Sequence, residues 1–485
     1  MAMAHMTNSE PLNYANLPKY LYDFEHDHIH TLLNANINNI NLWQVSKVPL
    51  FYYILRSNSN VHSTVPNATL ITSILTKIVH WQRILFEYIK LWLYPSKLNS
   101  KIWCITNHGD CLTVKDNKQY NGLFDEIIKK GNNSVAHIEY TNHNWKNRYN
   151  IPVVQLQYLL RGFEKFDNIK QKEDEAFQLI NTIWLSYATK KNIAPIPIDN
   201  FLQQNFFYFQ KHFTFFDKLI KKHTPQKIIS SETMCSPLLA AAVSNKVPLI
   251  EMQHGSIDAY YPPYVWHSQF NNLPFCIKPN YIAVFGKLAE AIIVKSAYFN
   301  INEIIKIGNA KFELLDTTSQ NNIADKRDLL IALQPLMHSY NIALMHKTKQ
   351  FNKAYTISIK CHPLQHSKEV DEYIHICTNN KNIIFLPKNE NIYNSIQAHK
   401  LIASHTSTIL EESVTLGKHT LTIGSDQLPM GIHSMNMDKH FESLLPFISL
   451  DNFNDTIFLT LNTEPVKCDY VYQPGYFNNI SRLLN

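Results

Sequence analysis

Short apolar runs alternate with helical stretches from about residue 100 to about residue 423, and this alternation restricts the chain to the α/β class. The runs are rich in apolar residues and bounded by polar loops, which is typical of strands buried on both faces of a parallel sheet. Clear examples are Ile102–Thr106, Lys227–Ser230, Val247–Met252 and Tyr355–Lys360. We therefore predict open, doubly wound sheets that bind ligands at the carboxyl ends of their strands.

The alternation divides the chain into three parts. Residues 1–98 lack it and are predicted to form a helical N-terminal region, whereas residues 99–303 and residues 304–485 each have the pattern of a Rossmann-like domain. The predicted fold is α/β, with two facing doubly wound domains behind the helical region. Facing sheets bring the carboxyl ends of their strands to one cleft, so we expect the ligand-binding residues there.

A long helix is predicted within the N-terminal region, over Thr69–Leu93. Lys77, Arg83 and Lys90 interrupt its apolar positions, so it does not fit a membrane-spanning helix. An apolar, aromatic and basic helix can lie on a membrane surface. It can equally pack on the main domain or on a dimer partner, and the sequence leaves these placements open.

Charge and cysteine content narrow the class of protein. The formal net charge of +6 suits an anionic small ligand or an anionic membrane surface, and the basic residues are too scattered for a nucleic-acid-binding protein. The seven cysteines form no CxxC pair, which favours a reducing compartment. With no secretory signal and no apolar run of about 18 residues, we predict a cytoplasmic protein, with peripheral contact to the inner face of the membrane as an option.

A polar run joins a predicted strand to a predicted helix: Ser404, His405, Thr406, Ser407 and Thr408. The unpaired N–H groups and the dipole at a helix N-terminus attract anions, and neighbouring hydroxyls can hold phosphate oxygens. Helix capping would explain one hydroxyl of the run but not all of them. The run therefore predicts a phosphate-binding site.

A His-Pro pair, His362-Pro363, follows the predicted strand Tyr355–Lys360. Pro363 disfavours a helical conformation at His362, so the imidazole is expected at the strand end, facing the cleft. There it can donate to a phosphate or stabilise a leaving group, and Lys360 can add positive charge. A packed turn histidine is the alternative. Glu411, one turn into the helix after the polar run, is a candidate for accepting hydrogen bonds from a sugar.

Candidate bases lie in the segment Glu251–Asp258. His254 follows a predicted strand, and an imidazole is suited to act as a general base near neutral pH. Glu251 and Asp258 either compete for that role or orient the imidazole through its other nitrogen. Gly255 permits a tight turn or a close approach of a ligand.

Aromatic residues follow this segment at once. Tyr260, Tyr261 and Tyr264 suit stacking on a sugar ring of an acceptor, or they pack in the interior of a structural loop. His108, after the first predicted strand, is a further candidate for contacting the acceptor. The histidines within Glu25–His30 share a face if this segment is extended, but no distant ligand is identifiable, so no metal site is predicted.

Together these segments resemble the motifs of GT-B glycosyltransferases, and more narrowly of bacterial surface-polysaccharide transferases. Polysialyltransferases and bacterial Kdo transferases have an acidic-acidic-Gly motif, then His-Pro, then a Ser/Thr motif. Gln253-His254-Gly255, His362-Pro363 and Ser404–Thr408 take these places. Teichoic-acid glycerophosphotransferases are similar, with a His-Gly turn in their first domain. The resemblance covers roughly residues 100 to 475, and His254 departs from it by standing where the CMP-sugar enzymes have a carboxylate.

The resemblance implies an inverting glycosyltransferase with an acceptor domain followed by a nucleotide-sugar donor domain. His254 would deprotonate the acceptor hydroxyl, and His362 with the polar run would hold the donor phosphate. It implies no metal and no cofactor, because protein donors and a helix N-terminus neutralise the leaving group. The implied donor is a nucleotide sugar, with a slight preference for a CMP-linked acidic sugar over a UDP- or GDP-sugar. The implied acceptor is a glycan or glycolipid of capsule or lipopolysaccharide type.

Three other functions fit the same motifs. A CDP-glycerol or CDP-ribitol phosphotransferase would share the fold and the histidine base but transfer a phosphoryl group. A sugar-nucleotide 2-epimerase needs acidic residues near the sugar and no acceptor. A non-catalytic glycan-binding protein would retain the fold alone. The sequence also leaves open whether the chain forms a homo-dimer.

Overall fold

The computed structural model describes residues 16–58, 82, 98–106, 111–114, 118–131, 134–139, 154–155, 174–231, 236–314, 327–335, 337–363, 365–405, 407–424, 445–462 and 469–484. His108, Thr406 and nearly all of the helix predicted over Thr69–Leu93 lie outside these residues. Within the described ranges, no helix combines the length and the hydropathy needed to cross a membrane.

Two parallel sheets form the framework. The first has the strand order β11-β10-β9-β8-β3-β6-β7, and the second has the order β14-β13-β12-β15-β16-β17. The strands of the first sheet are β3 (Ile102–Thr106), β6 (Val135–Glu139), β7 (Val154–Gln155), β8 (Lys227–Ser230), β9 (Leu249–Met252), β10 (Tyr281–Val284) and β11 (Ile304–Lys306). Those of the second sheet are β12 (Arg327–Ala332), β13 (Ile357–Lys360), β14 (Ile383–Phe385), β15 (His399–Ser404), β16 (His419–Gly424) and β17 (Phe447–Ser449). Two antiparallel pairs are separate from both sheets: β1 (Asn36–Ile37) with β2 (Ile40–Asn41), and β4 (Cys111–Val114) with β5 (Lys118–Asn121).

Helices connect the strands of both sheets. They are α1 (Leu17–Asp27), α2 (Ile29–Asn34), α3 (Leu42–Asn58), α4 (Asp125–Gly131), α5 (Glu175–Lys190), α6 (Asp199–His223), α7 (Ser236–Ser244), α8 (Lys287–Lys295), α9 (Ala310–Leu314), α10 (His338–Thr348), α11 (Ser367–Cys377), α12 (Ile392–Gln397), α13 (Thr408–Thr415), α14 (Tyr476–Asn479) and α15 (Ser481–Leu484). The prediction of two doubly wound α/β units is confirmed by this order of elements and by the strand pairing.

Three apolar clusters fill the interior. One contains side chains from the N-terminal helices, from one face of the first sheet and from one face of the second sheet, including Phe285, Ile402 and Tyr472. The other two cover the outer face of each sheet. Because one cluster is continuous between the two sheets, the α/β units share a buried junction.

The division between the two α/β units differs from the predicted one. We predicted that the chain crosses to the second unit at Ile304, but β11 pairs in parallel with β10 and is the edge strand of the first sheet. The end of the chain also returns to the first unit, where the Tyr476 hydroxyl donates to the Leu123 carbonyl over 2.6 Å. The composition of a short apolar strand does not indicate which of two sheets it joins. The position of the crossing therefore could not be predicted from the sequence.

Two further elements differ from what their sequence pattern indicates. Tyr120–Lys130 has the pattern of one helix, but residues up to Asn121 form β5, and α4 begins only at Asp125. The Asn121 side chain accepts hydrogen bonds from the N–H groups of Leu123 and Phe124, and this turn separates the strand from the helix. The alternating pattern ends with the strand at Thr420–Ile423, but β17 pairs with β16 beyond it.

A buried ion pair attaches the N-terminal helices to the first domain. Lys47 Nζ on α3 lies 2.9 Å from Glu25 Oε2 on α1, and their side chains are 1% and 0% exposed. The same carboxylate accepts from Trp43 Nε1 and from the His267 backbone N–H, each over 2.7 Å. Lys47 also donates to the Val265 carbonyl over 2.7 Å. Helices α1 and α3 are thereby fixed to the loop that follows β9.

Removing the cation of this pair should destabilise the fold strongly. Lys47→Met would leave the Glu25 carboxylate buried without its counter-ion, and we expect the free energy of unfolding to fall by about 3–5 kcal/mol. Lys19→Met on α1 is the matched control, because Lys19 pairs with Asp23 at the surface and such pairs contribute less than about 1 kcal/mol. Urea unfolding of both variants measures the difference. Equal losses would contradict a special role for the buried pair.

A buried histidine should make the second domain sensitive to acid. His399 at the start of β15 is 1% exposed, and its Nδ1 lies 2.5 Å from the Ser395 carbonyl. Burial lowers its pKa to about 4, whereas an unfolded histidine titrates near 6.5. The folded state therefore favours the neutral ring, and its stabilising contribution is complete above about pH 6.5 and is lost as the pH falls towards 4.

Unfolding measured between pH 8 and pH 5 tests this linkage. We expect His399→Gln to show a shallower loss of stability with acid than wild type, while His375→Ala, at an exposed position on α11, keeps the wild-type slope. Parallel pH profiles for all three proteins would refute the assignment.

Candidate functional site

Two of the predicted motifs lie at one edge of the second sheet. Strands β13 and β15 flank β12, and Lys360 and Ser404 are both aligned with Ala332 at its carboxyl end. His362 follows the first of these strands, and the polar run follows the second. Since adjacent strands are about 4.8 Å apart, the two motifs begin roughly 10 Å from each other.

Part of the polar run is used by the fold itself. The Ser404 hydroxyl donates to the Ala332 carbonyl over 2.7 Å, and Ser407 caps α13 by accepting from the Ile409 N–H over 3.4 Å. His405 is buried, with its ring centroid 5.0 Å from that of Tyr340. Thr408, at the N-terminus of α13, is half-buried, and a phosphate at this helix end stays a prediction.

His362 and Lys360 have different surroundings. Lys360 Nζ donates to the carbonyls of Pro387 and Lys388 over 2.7 and 2.9 Å, so it orders the loop after β14. His362 is half-buried, and its backbone N–H donates to Gln365 Oε1 over 2.8 Å. Burial lowers the pKa of His362, and the charges of Lys388 and Lys360 lower it further. The lowered pKa favours the neutral form of the ring at neutral pH.

The turn after β9 is held by Gln253, which is 2% exposed. Its Nε2 donates to the Gly255 carbonyl over 2.8 Å, and its Oε1 accepts from the Phe285 N–H over 2.7 Å. His254, between the anchored residues, is exposed. Gln253 belongs to the first sequence motif, but the motif does not indicate this positioning role. Its place at a strand end beside a candidate base was the one available signal.

The two carboxylates near His254 lie in different environments. Glu251 on β9 is buried and aligned with Ser230 of β8. Asp258 accepts from the Tyr260 N–H over 2.8 Å, and burial raises its pKa to about 6. A pKa near 6 suits a general base that acts close to neutral pH, so Asp258 remains a candidate. Glu251 differs from it by lying within a strand of the sheet.

The aromatic loop packs against protein. The Tyr260 ring lies 5.2 Å from Tyr22 of α1, and Tyr261 lies 5.5 Å from Tyr264, measured between centroids. Tyr264 is 3% exposed. These contacts are packing within the loop and against α1, while Tyr260 and Tyr261 are half-buried, and stacking on an acceptor sugar stays a prediction.

Buried apolar side chains connect the turn at His254 to helix α13. Phe285, whose N–H binds Gln253, stacks on Tyr472 at 5.2 Å between centroids, and both rings belong to the same buried cluster as Leu410 of α13. Burial raises the pKa of the Tyr472 hydroxyl, and the charges of Glu411 and Glu412 on α13 raise it further. The first motif and the third motif therefore border the same interdomain junction.

A second polar cluster lies at the carboxyl edge of the first sheet and was not foreseen. The Thr106 hydroxyl donates to Glu139 Oε2 over 2.7 Å and lies 2.9 Å from His137 Nε2. All three residues are buried. Polar residues in the otherwise apolar strand Val135–Glu139 were the available signal. His108 follows Thr106 by two residues but lies outside the described part of the chain.

The described residues contain no group of three or more histidine, cysteine, aspartate or glutamate side chains placed to hold a metal ion. The extended arrangement considered for Glu25–His30 does not form, because Leu17–Asp27 and Ile29–Asn34 are helices. The His26 ring instead packs against His267, 4.6 Å away.

Comparison with known proteins identifies the chain's general likeness but not its family. No family model and no curated protein matches the sequence. UDP-bound MnaA of S. aureus matches with a TM-score of 0.43 and 13% identity, covering 80% of this chain and 95% of that one. UDP-GlcNAc 2-epimerase of Neisseria meningitidis bound to UDP-GlcNAc matches with a TM-score of 0.41 and 12% identity, covering 79% and 98%. MurG of Acinetobacter baumannii matches with a TM-score of 0.44 and 12% identity, covering 79% and 99%. At these values the likeness carries no argument about activity, and the α/β architecture rests on the strand order itself.

The anchoring of the turn by Gln253 can be tested directly. Gln253→Ala removes both side-chain hydrogen bonds and leaves the Phe285 N–H without its acceptor, so we expect a loss of about 1–3 kcal/mol in the free energy of unfolding. Gln204→Ala, at an exposed position on α6, should change stability by less than about 0.5 kcal/mol. Hydrogen exchange at Phe285 reports the local effect. An unchanged exchange rate at that amide would rule out the proposed anchor.

Proposed function

We propose that the chain is an inverting, metal-independent glycosyltransferase that moves a sugar from a nucleotide donor to an acceptor hydroxyl. The observation that carries this proposal is the shared junction. The turn with His254 and the N-terminus of α13 border it from the two sheets, and Phe285 and Tyr472 connect them. A donor bound at α13 and an acceptor bound at the first domain would meet there.

The donor side has the means to hold a phosphate without a metal. The N-terminus of α13 supplies backbone N–H groups and the positive end of a helix dipole. His362 adds a neutral N–H donor, and Lys360 orders the neighbouring loop through its two carbonyl contacts. Charge that develops on the leaving phosphate would be stabilised by these groups.

On the acceptor side, His254 is proposed as the general base. It takes the proton of the acceptor hydroxyl while the oxygen forms its bond to the anomeric carbon. The bond from that carbon to the donor phosphate breaks, and the nucleotide leaves with the electron pair. In-line attack inverts the anomeric centre. Asp258, with a pKa of about 6, is the alternative base.

The finer assignment follows the motif resemblance. The preferred donor is a CMP-activated acidic sugar, and the acceptor is a bacterial cell-surface glycan or glycolipid of capsule or lipopolysaccharide type. Cytoplasmic location with peripheral contact to the inner membrane would bring the enzyme to a lipid-linked acceptor. A homo-dimer is compatible with this function.

Nucleotide binding is the decisive test. We expect CMP to raise the melting temperature of wild type, because a ligand at about 100 times its dissociation constant adds about 2.7 kcal/mol of stability. His362→Ala should lose this shift, whereas the exposed His375→Ala should keep it. Affinity should also rise as the pH falls below neutrality, because a bound phosphate favours the protonated form of His362, whose pKa is lowered in the free protein.

Other outcomes discriminate the rival functions. A shift with CDP and not CMP would indicate a polyol-phosphate transferase, and a shift with UDP or GDP an ordinary sugar donor. Turnover of a nucleotide sugar without an acceptor would indicate an epimerase. No shift with any nucleotide would overturn the donor site and leave the glycan-binding protein as the explanation.

A further inference from the structure

A cavity lies in the first domain beneath helix α3. Its walls come from α3, from one face of the first sheet, from α7 and from the segment between β9 and α8, with Phe299 of the connection after α8. Its volume is about 50 Å³, enough for several water molecules. No residue of the second sheet lines it, so the cavity is distinct from the proposed donor site.

Polar groups and apolar walls are combined in this cavity. Glu251 is buried and aligned with Ser230 on the neighbouring strand, and both line the cavity together with Ser236 and with Gln44 of α3. Tyr264 and Trp266 are among the aromatic walls. A carboxylate accepts hydrogen bonds and donates none, whereas a carboxamide and a hydroxyl can do both. This set is suited to a ligand that carries hydroxyl groups on a small carbon frame.

Gln44 is held in position before any ligand arrives. Its Oε1 accepts from the Ile277 N–H over 3.2 Å, and its Nε2 lies 3.5 Å from the Tyr298 hydroxyl. Nε2 also donates to Cys276 Sγ over 3.7 Å, so the amide keeps one further lone pair, on Oε1. The N-terminal region, whose role the sequence left open, therefore supplies an ordered polar wall.

The charge of the surroundings selects against an anion, and the existing contacts of the aromatic walls are the argument against a cation. No lysine, arginine or histidine is among the described residues that line the cavity, so an anionic ligand has no partner there. The aromatic walls are already in contact with cations of the protein. Lys47 Nζ lies 4.2 Å from the Trp266 ring, and Lys278 Nζ lies 5.0 Å from that of Tyr298. A cationic ligand would meet rings that these ammonium groups already occupy on one side.

We propose that this cavity is a binding site for a small, neutral, hydroxylated unit, of the size of a three-carbon polyol or the hydroxymethyl end of a sugar residue. Glu251 accepts hydrogen bonds from its hydroxyls, Gln44 orients it from α3, and the apolar walls cover its carbon frame. The site stands independently of the glycosyltransferase function. If both are correct, it holds part of the acceptor, three residues along the chain from His254.

Ligand-observed NMR tests the site with glycerol, methyl glucoside and N-acetylglucosamine as neutral probes and choline as a cationic one. We expect saturation transfer to at least one neutral probe in wild type and none to choline. Glu251→Gln preserves the volume but removes the charge, and should weaken binding about tenfold. Gln44→Leu should weaken it as well, and Val48→Phe should abolish it by filling the cavity.

Two controls make the result decisive. Tyr53→Phe on α3 changes a ring stacked on Phe201 outside the cavity, and it should leave binding unchanged. The nucleotide-induced melting shift is measured on every variant, so that loss of folding and failure of the donor site are each seen separately. The proposal would be overturned if no neutral probe showed saturation transfer, or if Glu251→Gln and Gln44→Leu bound the probe as tightly as wild type. Preferred binding of choline would also overturn it.

Discussion

The buried pair of Glu25 and Lys47 is the interaction on which the first domain's binding surfaces depend. Desolvating two charges is unfavourable unless each finds further partners, and here Trp43, the His267 N–H and the Val265 carbonyl provide them. Each of these hydrogen bonds has a defined direction. The N-terminal helices are therefore held in one position against the loop after β9, and in that position α3 forms a wall of the cavity.

The C-terminal segment has a similar role at the junction between the sheets. A Cβ at Gly286 would clash with the Val471 carbonyl, and one at Gly308, which has a φ of +80°, would clash with the Gln473 carbonyl. The backbone of the segment thus lies directly against the first domain at two glycines. Tyr472 stacks on Phe285 and belongs to the same buried cluster as Leu410 of α13. Relative motion of the two sheets would have to slide this buried contact, which favours small rearrangements at the cleft.

The strands could be predicted from sequence because burial on both faces makes them largely apolar, as in Ile102–Thr106, which is buried along its whole length. The positions of the motifs could then be predicted as well, because His254 and His362 each follow a strand end in any order of strands in the sheet. Long-range pairings could not be predicted in the same way. The partner of Glu25 is twenty-two residues away, and the hydrogen bond from Phe285 to Gln253 spans thirty-two. Neither produces a periodic signal, so these positioning residues became visible only in three dimensions.

The three candidate bases differ more in their positions and contacts than in their chemistry. Glu251 is fixed on β9, where it lines the cavity under α3. The Asp258 carboxylate accepts the Tyr260 N–H, so a proton transfer through it would compete with the hydrogen bond that shapes its turn. His254 is exposed, and Gln253 fixes the backbone on both sides of it. A substrate hydroxyl could therefore reach His254 without any displacement of the loop, and the same anchored backbone would keep the imidazole in place during the transfer. For the proposed glycosyltransferase, this arrangement favours His254 over Asp258 as the base.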